Sequence, residues 1–387
     1  MYNILTLNKI AACGTDLFDK SKYTFSEDMA DPAAVLVRSA SMHEMELGDN
    51  LLAIARAGAG TNNIPIDKCS EKGIVVFNTP GANANAVKEL VIAGLLLASR
   101  KVVPAIEWSR TLKGEGDQVG KLVEKGKSSF AGPEITGKTL GVIGLGAIGI
   151  LVANAAKALG MNVYGYDPFL SVDAAWKLSS STKHAASLKE IYENCDYITV
   201  HVPLNNETKH MINSESIKLM KNGVRILNFS RGELVCEEDI IEAVGSGKVA
   251  CYVTDFPSDA VIGIDNIITI PHLGASTPES EDNCAKMAAQ ELVDFLENGN
   301  IKNSVNLPNA EMAREGDVRI TVIHKNIPNM LSQISAVVSQ SGANIENMLN
   351  RSKKDMAYTI LDVAGKLDAS VADSIKAIDG VIRVNVL

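Results

Sequence analysis

The feature of this sequence that most limits its fold is a cluster of three glycines, Gly144, Gly146 and Gly149, between two apolar patterns. The run Thr139–Ile143 before them has the length and composition of a buried strand, and an alanine-rich helical pattern follows. A strand that turns through glycines into a helix presents the unpaired N–H groups of the helix start, which bind phosphate. The spacing GxGxxG in this context predicts a unit that binds the pyrophosphate of a dinucleotide.

A carboxylate supports this prediction. The segment Asn162–Tyr166 alternates like a second strand and ends on Asp167, which lies 23 residues after Gly144. A carboxylate at that place accepts hydrogen bonds from both hydroxyls of the adenosine ribose and repels a 2′-phosphate, so NAD is favoured over NADP. The competing interpretation is a glycine-rich turn in an ordinary α/β domain, which would not require the acid.

The composition restricts the class of protein. A chain of 387 residues with 46% hydrophobic and 21% charged residues is expected to form two or three globular domains. The net charge of −9 argues against nucleic-acid binding, and the longest apolar run, Leu90–Ser99, is too short to span a bilayer. The six cysteines form no CxxC, which favours free thiols over disulfides or a metal site. With no signal-peptide pattern in MYNILTLNKI, a cytoplasmic protein is expected.

The first 90 residues predict a doubly wound parallel sheet. Short apolar runs alternate there with helical or turn segments, at Ile4–Leu7, Ala34–Val37, Leu51–Ala55 and Ile74–Phe77. Polar or small residues follow the strand ends, where such sheets bind ligands: Arg38, Ser39, Arg56, Ala57, Gly58 and Asn78. Two arginines and a glycine loop at one edge suit a small anionic substrate, whereas either arginine alone would be interpreted as a solvated surface residue.

A second parallel sheet is predicted around the glycine cluster. After a helix at 83–100 and a polar stretch, Thr111–Ser129, that lacks periodicity and is expected to wander over the surface, apolar runs and helical patterns alternate again. The predicted strands are Thr139–Ile143, Asn162–Tyr166, Tyr197–Val202, Arg225–Phe229, Val249–Asp255 and Ile267–Ile270. Six strands are the number of a complete Rossmann domain.

The strand ends of this second sheet carry residues suited to hydride transfer. They contribute His201, Val202 and Pro203, then Asn228, Phe229, Ser230 and Arg231, then Asp255 and Asp259, and finally His272 and Gly274. Oxidation of a secondary alcohol requires a base for the hydroxyl proton, and histidine is suited to that task. It also requires a cation that holds an acid group, and a guanidinium can grip a carboxylate through two hydrogen bonds. The simpler interpretations are that His272 caps a turn and that Asp255 and Asp259 form Asx turns.

The C-terminal third predicts a further domain. A long amphipathic helix over Ser276–Asn298 precedes a polar segment, Ile301–Gly316, which is interpreted as a linker. The segment Val318–Leu387 then shows the order βαββαβ, which is typical of a ferredoxin-like α+β domain.

The motifs GLGAIG, HVPL, NFSRG and PHLGAST, together with Asp167, resemble those of the D-isomer-specific 2-hydroxyacid dehydrogenase family. The stretches RAGAGTNN and NTPGANANAVKEL and the C-terminal domain resemble the members that oxidise 3-phospho-D-glycerate at the entry to serine synthesis. The resemblance covers essentially the whole chain. Another 2-hydroxy acid, such as glycerate or lactate, remains an alternative substrate, and a NAD-sensing interaction protein is an alternative of a different class.

The resemblance implies roles for individual residues. Arg231 would hold the substrate and His272 would act as acid and base. The implied NAD contacts are Gly144, Leu145, Gly146, Ala147, Ile148, Gly149, Asp167, His201, Val202, Pro203, Asn228, Phe229, Ser230, Asp255, His272 and Gly274. The implied substrate contacts are Arg38, Ser39, Arg56, Ala57, Gly58, Asn78, Arg231 and His272, and no metal is expected.

One position departs from the family pattern. The family places a glutamate a few residues after the aspartate at the strand end, where it orients the histidine. Here the segment reads DFPSDAVIG, and only Asp259 lies at about that position. Aspartate is one methylene shorter, so the hypothesis that Asp259 orients His272 requires the loop to approach more closely.

The C-terminal domain resembles an ACT domain, a module that binds amino acids between subunits. His324, Asn326 and Asn344 match the family pattern for L-serine, although Pro328-Asn329 stands where proline–glycine is usual. A purely oligomerising domain is the alternative. The expected division is 1–92 with 281–305 for substrate, 93–280 for NAD, 306–317 as linker and 318–387 as ACT domain, in a homodimer or homotetramer with hinges near 85–101 and 276–294.

Overall fold

The computed structural model describes the backbone of residues 1–387 and every side chain except that at position 369. Two compact units are present, Met1–Asn83 with Pro278–Leu387, and Ala84–Thr277. The finer division into four functional segments stays a prediction. Across the described residues, no helix is long and apolar enough to cross a membrane, and no group of three or more His, Cys, Asp or Glu side chains could hold a metal ion.

The elements are numbered in chain order. The strands are β1 (Tyr2–Leu7), β2 (Tyr23–Ser26), β3 (Ala34–Val37), β4 (Ala53–Arg56), β5 (Val75–Asn78), β6 (Thr139–Ile143), β7 (Asn162–Tyr166), β8 (Lys183–His184), β9 (Tyr197–Val200), β10 (Val224–Asn228), β11 (Val249–Thr254), β12 (Ile267–Thr269), β13 (Val318–Lys325), β14 (Asn344–Lys353), β15 (Met356–Ala364) and β16 (Val381–Val386). The helices are α1 (Ala12–Thr15), α2 (Ile66–Glu71), α3 (Ala84–Ser99), α4 (Val102–Thr111), α5 (Val119–Gly126), α6 (Ala147–Ala158), α7 (Val172–Ala175), α8 (Leu188–Asn194), α9 (Ser214–Leu219), α10 (Glu237–Gly245), α11 (Pro278–Asn298), α12 (Met330–Gln340) and α13 (Ala369–Lys376).

The first unit contains a parallel sheet whose described strands have the order β2-β1-β3-β4-β5. This is the flavodoxin-like order, so the predicted fold of the first domain is confirmed. Strand β2 was not predicted because its sequence, YTFS, is short and partly polar. Helix α11 returns to this sheet from far along the chain, and its Leu292 and Phe295 share a core with Ile4 and Leu36.

The second unit contains a parallel sheet in which the described strands have the order β12-β11-β10-β9-β6-β7-β8. Counted from β6, this is the Rossmann order. Successive strands are added on one side of β6 up to β8 and on the other side from β9 onwards, and such sheets bind dinucleotides at this change of side. The predicted Rossmann domain is confirmed. The sequence predicted six strands, and the seventh, β8, has only two residues and both are exposed, so no hydrophobic pattern marked it.

The stretch Thr111–Ser129, which was expected to wander over the surface, is mostly exposed but contains regular structure. Helix α5 and 3-10 turns at Gly116–Gln118 and Lys127–Phe130 occupy this stretch. Among the described side chains of α4 and α5 none is buried, which explains why no core-facing periodicity is visible in the sequence.

The C-terminal segment, which belongs to the first unit, forms an antiparallel sheet with the order β14-β15-β13-β16 among its described strands. Helices α12 and α13 cover one face, and the predicted βαββαβ topology is confirmed. On the other face, Tyr358 and Ile360 join the same core as Phe295. The C-terminal sheet and the first sheet therefore share apolar packing.

A buried ion pair reinforces that contact. The Arg319 guanidinium donates hydrogen bonds to both carboxylate oxygens of Asp362, at 2.6 and 2.7 Å, and both side chains are fully buried. It also donates to the carbonyl oxygens of Asn298, Met312 and Ala313. In the segment 306–317 that was expected to be a linker, Leu307 and Ala310 are each 1% exposed, so this segment is packed rather than free in solvent.

Candidate active site

The glycine turn after β6 has the backbone geometry that its residues permit. Gly144 has a φ of +91°, and a side chain there would overlap the carbonyl oxygen of His201. A side chain at Gly149 would overlap the carbonyl oxygen of Gly144, so α6 lies close against the strand. At Gly146 an added Cβ would meet nothing within 4 Å, and no side chain caps the start of α6. The turn thus leaves open space in front of free N–H groups, as a pyrophosphate site requires.

Asp167 lies beside this turn. Its Oδ2 accepts a hydrogen bond from the backbone N–H of Leu145 at 2.8 Å, and its Oδ1 accepts one from Phe169 at 2.9 Å. Each carboxylate oxygen keeps a further lone pair for a ribose hydroxyl. The Leu145 side chain is buried in the core, as is that of Phe229, so these two residues can reach a cofactor only through their backbones.

His201 lies at the point where the strand order reverses. Its Nε2 is 3.0 Å from the hydroxyl of Thr199, whereas its Nδ1 is buried without a hydrogen-bond partner among the described residues. Burial lowers the pKa of His201 to about 4, so the imidazole is neutral at physiological pH. A buried polar atom without a partner is uncommon in a folded protein and indicates a group that a ligand completes.

The loop after β10 is built around Asn228. The buried amide of Asn228 donates to the carbonyl oxygen of Arg231 at 2.8 Å and accepts from the N–H of Ser230 at 3.2 Å. The Ser230 hydroxyl donates to the carbonyl oxygen of Val200 at 2.8 Å. These bonds hold the loop so that Arg231 is exposed, with one guanidinium N–H bonded to the carbonyl oxygen of Ser230. The other N–H groups are available to an anion.

Asp255 and His272 lie together at the next strand ends. The backbone N–H of His272 donates to the carbonyl oxygen of Asp255 at 3.0 Å, and the Asp255 Oδ2 accepts from the N–H of Gly274 at 3.3 Å. The other carboxylate oxygen is buried without a partner among the described residues. Burial raises the pKa of Asp255, and the charges of His272 and Arg231 offset part of that rise. The structure thus brings Arg231, Asp255 and His272 to one edge of the sheet.

Asp259 is placed differently. It lies exposed in a turn, and in the described structure no hydrogen bond or ion pair joins it to His272. The carboxylate that interacts electrostatically with His272 in this conformation is that of Asp255. The role of Asp259 in orienting His272 therefore stays a prediction.

Sequence reasoning missed two residues of this edge. The hydroxyl of Thr199 contacts His201, and its signal was a polar residue inside an otherwise apolar strand, YITV. The ring of Phe256 lies 4.8 Å from that of His272, between centroids, and limits where the imidazole can lie. No local pattern marked that contact.

In the first unit, the structure brings the predicted substrate residues to the carboxyl edge of the sheet. The register pairs Val37 with Arg56 and Arg56 with Asn78, so the ends of β3, β4 and β5 are aligned. The Arg56 Nε donates to the carbonyl oxygen of Arg38 at 3.1 Å. The Arg56 guanidinium also occupies the space that a side chain at Gly58 would need. The Asn78 amide donates to the carbonyl oxygen of Ala59 at 2.6 Å.

Two partners at this edge were not predicted. The Arg38 guanidinium forms a 2.5 Å ion pair with Glu281, in the first turn of α11, and both side chains are 43% exposed. The side chain of Asn8 accepts hydrogen bonds from the backbone N–H groups of Ser39 and Ala40 at 2.9 and 2.7 Å. Pairing across more than 200 residues leaves no local signal.

The three predicted effector residues are not brought together within one chain. His324 is buried, and its ring nitrogens lie 2.9 Å from the carbonyl oxygen of Lys325 and 2.9 Å from the hydroxyl of Thr359. His324 pairs with Ala357 of β15, whereas Asn344 aligns with Ala364, about 23 Å further along that strand at the usual rise per residue.

The loop between β13 and α12 contains a residue in the left-handed region. Asn329 takes the left-handed conformation, with a φ of +69°, where the family has glycine. The Asn326 amide donates to the carbonyl oxygen of Lys354 at 3.0 Å.

Comparisons with known proteins agree with this geometry. Residues 92–274 match the family model described as D-isomer specific 2-hydroxyacid dehydrogenase, NAD binding domain. The chain is 35% identical over 324 residues to D-3-phosphoglycerate dehydrogenase of Methanocaldococcus jannaschii, covering 81% of this chain and 59% of that protein. It is 32% identical over 352 residues to D-3-phosphoglycerate dehydrogenase of Escherichia coli strain K12, covering 88% of this chain and 82% of that protein.

A solved structure shows the same likeness. The NAD⁺-bound 3-phosphoglycerate dehydrogenase of Entamoeba histolytica superimposes with a TM-score of 0.62 at 28% identity, over 79% of this chain and 98% of that one. The chain spans about three fifths of the archaeal relative and most of the bacterial one. The chain belongs to the D-isomer specific 2-hydroxyacid dehydrogenase family, and its second unit carries the NAD binding domain of that family.

Proposed function

We propose that the protein oxidises 3-phospho-D-glycerate to 3-phosphohydroxypyruvate with NAD⁺. The observation that carries this proposal is the edge formed by Arg231, Asp255 and His272 beside a dinucleotide turn. The buried atoms without partners at His201 and Asp255 and the open space at Gly146 fit a bound dinucleotide.

In this proposal each residue has a separate task. The glycine turn and Asp167 hold the pyrophosphate and ribose, and NAD⁺ supplies a hydride acceptor when bound. Arg231 binds the substrate carboxylate and favours the developing carbonyl group. His272 removes the proton from the C2 hydroxyl as the hydride leaves C2, so the alcohol loses two electrons and two hydrogens in total. Asp255 stabilises the positive charge that then forms on the imidazole.

The substrate class rests on the first unit. Two cations, Arg38 and Arg56, lie at one sheet edge with the Gly58 turn, which suits a substrate with a phosphate as well as a carboxylate. A non-phosphorylated acid would use only part of this charge. For this reason 3-phospho-D-glycerate is preferred over glycerate or lactate, in agreement with the names of the relatives.

A steady-state assay of NADH formation with 3-phospho-D-glycerate, D-glycerate and D-lactate tests the proposal. The expected result is a kcat/KM for the phosphorylated acid that is higher than for both others. Arg38→Gln should lower kcat/KM for 3-phospho-D-glycerate more than for D-lactate. A higher kcat/KM for D-glycerate or D-lactate would assign that acid as the substrate. Turnover with none of the three acids would favour a NAD-sensing protein.

We propose further that the C-terminal sheet binds L-serine between two chains of a homodimer or homotetramer. This is supported by the separation of His324 and Asn344 within one chain, because one small ligand cannot contact both there. Calorimetric titration of L-serine into wild type and Asn344→Ala tests it, with sedimentation as the readout of assembly. No heat with wild type would leave the domain a purely oligomerising one.

A further inference from the structure

A cavity of about 570 Å³ opens within the first unit, and one of its lining residues, Asn78, is also an implied substrate contact. It lies between the carboxyl end of β5, the segment 303–309 and the end of β14, and Asn78, Asn309, Arg351 and Lys353 are among its walls. Its volume is in the range of small-molecule sites, roughly 300–1,000 Å³. Neither Arg38 nor Arg56 lines it.

The charge of this cavity is opposite to that of the chain. Its lining residues include two cations, Arg351 and Lys353, and no carboxylate, although the protein as a whole carries a net charge of −9. The Arg351 side chain is exposed, and its guanidinium has no hydrogen bond or ion pair among the described residues. A concave surface with unopposed positive charge attracts small anions.

Lys353 fixes the second charge in place. Its ammonium donates hydrogen bonds to the carbonyl oxygens of Ser304 and Val305, at 3.1 and 3.0 Å, which leaves a third N–H for a ligand. Burial lowers the pKa of Lys353, and the neighbouring Lys354 lowers it further. An anion beside this group would favour its charged form.

The wall formed by the segment 303–309 supplies amide groups. The Asn309 Oδ1 accepts a hydrogen bond from the backbone N–H of Asn303 at 3.0 Å, so its NH₂ group is left as a donor. Behind this wall the Asn303 amide donates to Glu291 at 2.8 Å. Burial raises the pKa of Glu291 to about 8, so this carboxyl is largely protonated at pH 7 and does not repel an anion.

We propose that this cavity is a binding site for a small anion that carries phosphate or carboxylate groups. The free guanidinium of Arg351 can hold either group through two parallel hydrogen bonds, while Lys353 and Asn309 contribute single donors. Because Asn78 ends β5 and Arg351 and Lys353 belong to β14, the bound anion joins the C-terminal sheet to the edge of the first sheet. An effector bound in this cavity therefore contacts the end of β5, which carries Asn78. It does not depend on the reaction proposed above.

Isothermal titration of inorganic phosphate, and separately of citrate, into the full chain tests this site. Saturating NAD⁺ occupies the glycine turn, and an Arg38→Gln background weakens anion binding at the proposed substrate arginines. Binding of phosphate, citrate or both is expected. The titration that gives heat identifies whether the site takes phosphate or carboxylate groups. Arg351→Gln should raise the dissociation constant about tenfold or more, as expected for loss of a charge-assisted pair.

Two further variants control the interpretation. Arg351→Lys keeps the charge but not the planar fork, so an intermediate affinity is expected. Lys366→Gln removes an exposed cation of the same module that does not line the cavity and should leave the dissociation constant unchanged. Absence of heat with both anions, or equal binding by Arg351→Gln and its parent, would overturn the proposal. A thermal midpoint that rises with the anion in the parent but not in Arg351→Gln would support it independently.

Discussion

The carboxyl edges of the two parallel sheets differ in how their polar groups are satisfied. At the edge of the seven-stranded sheet, His201 Nδ1 and Asp255 Oδ1 are buried and lack hydrogen-bond partners among the described residues. At the edge of the five-stranded sheet, the predicted site residues bond to the protein itself. Arg38 pairs with Glu281, and Asn78 bonds to the carbonyl oxygen of Ala59. The Thr79 hydroxyl and the Asn63 Oδ1 are exceptions there.

The difference indicates two ways to bind a ligand. A buried polar group without a partner costs about 1–3 kcal/mol, so a ligand that completes it regains that energy on binding. The seven-stranded edge is thus shaped in advance for its ligand. At the edge of the five-stranded sheet, an anion must displace an internal partner of the arginines, chiefly Glu281. The net free energy of binding is therefore smaller.

The largest effect is expected at the edge of the seven-stranded sheet. His272→Gln should lower kcat by about 10²–10⁴-fold, because the variant loses the proton acceptor, while the affinity for NAD⁺ should change far less. Stopped-flow kinetics and calorimetry measure the two quantities. His184→Gln, an exposed histidine on β8, is the matched control and should behave as wild type. A kcat within tenfold of wild type would remove His272 from the chemistry.

A second test concerns a buried acid behind the five-stranded edge. Burial raises the pKa of Glu291 from 4.5 to about 8 in the folded state, so the folded protein binds a proton more tightly than the unfolded chain does. The free energy of unfolding should therefore be highest below pH 4.5 as far as this group is concerned. It should fall as pH rises towards 8, on the order of 1 kcal/mol per pH unit.

Glu291→Gln should flatten that part of the profile, since the amide resembles the protonated acid and does not ionise. Urea unfolding from pH 5 to pH 8 measures it, with the exposed Glu279→Gln as control. Parallel profiles for wild type and Glu291→Gln would show that the carboxyl is already ionised in the folded protein.

A third test decides which carboxylate supports His272. Asp255→Asn should lower kcat/KM about 10–100-fold and move the acidic limb of the pH–rate profile to lower pH, because a nearby negative charge favours the protonated imidazole. Asp259→Asn is the paired variant. If Asp259→Asn is the only variant that moves the acidic limb, the loop that carries Asp259 must close over His272 during turnover. If the pH–rate profile of Asp259→Asn matches that of wild type, Asp259 has no orienting role.

The smallest effect is expected at the five-stranded edge. Glu281→Gln should lower KM for 3-phospho-D-glycerate by at most about fivefold, with kcat unchanged, because the substrate no longer competes with an exposed carboxylate for Arg38. Glu279→Gln, two residues earlier on α11, is the control. A higher KM in Glu281→Gln would mean that this side chain helps to hold the substrate.

Local sequence was sufficient for much of the fold and for part of the site. The glycine cluster requires a positive φ at Gly144 and close packing at Gly149, and both are visible as residue types. Buried strands such as β3 are continuous apolar runs. Because the carboxyl ends of parallel strands meet at one edge of a sheet, the sequence alone groups Arg231, Asp255 and His272.

The features that were not predicted depend mainly on contacts between distant parts of the chain. Glu281 pairs with Arg38 and Lys353 bonds to Ser304 only after the sheets have packed, so spacing gives no signal. The exposed two-residue strand β8 and the unburied helix α5 lack a core-facing pattern. The segment 306–317 is polar on average, and the burial of its Leu307 and Ala310 is visible only in the packed chain.

The return of α11 to the first sheet affects how the chain is made. Ile4 and Leu36 are covered by Leu292 and Phe295, which are synthesised only after residues 84–277. At roughly 5–20 residues per second, one apolar face of the first sheet waits about 10–40 s on the ribosome for its cover. The second unit, which is continuous in sequence, can fold during that interval. The nascent first unit is therefore the part of this protein that most requires protection by chaperones.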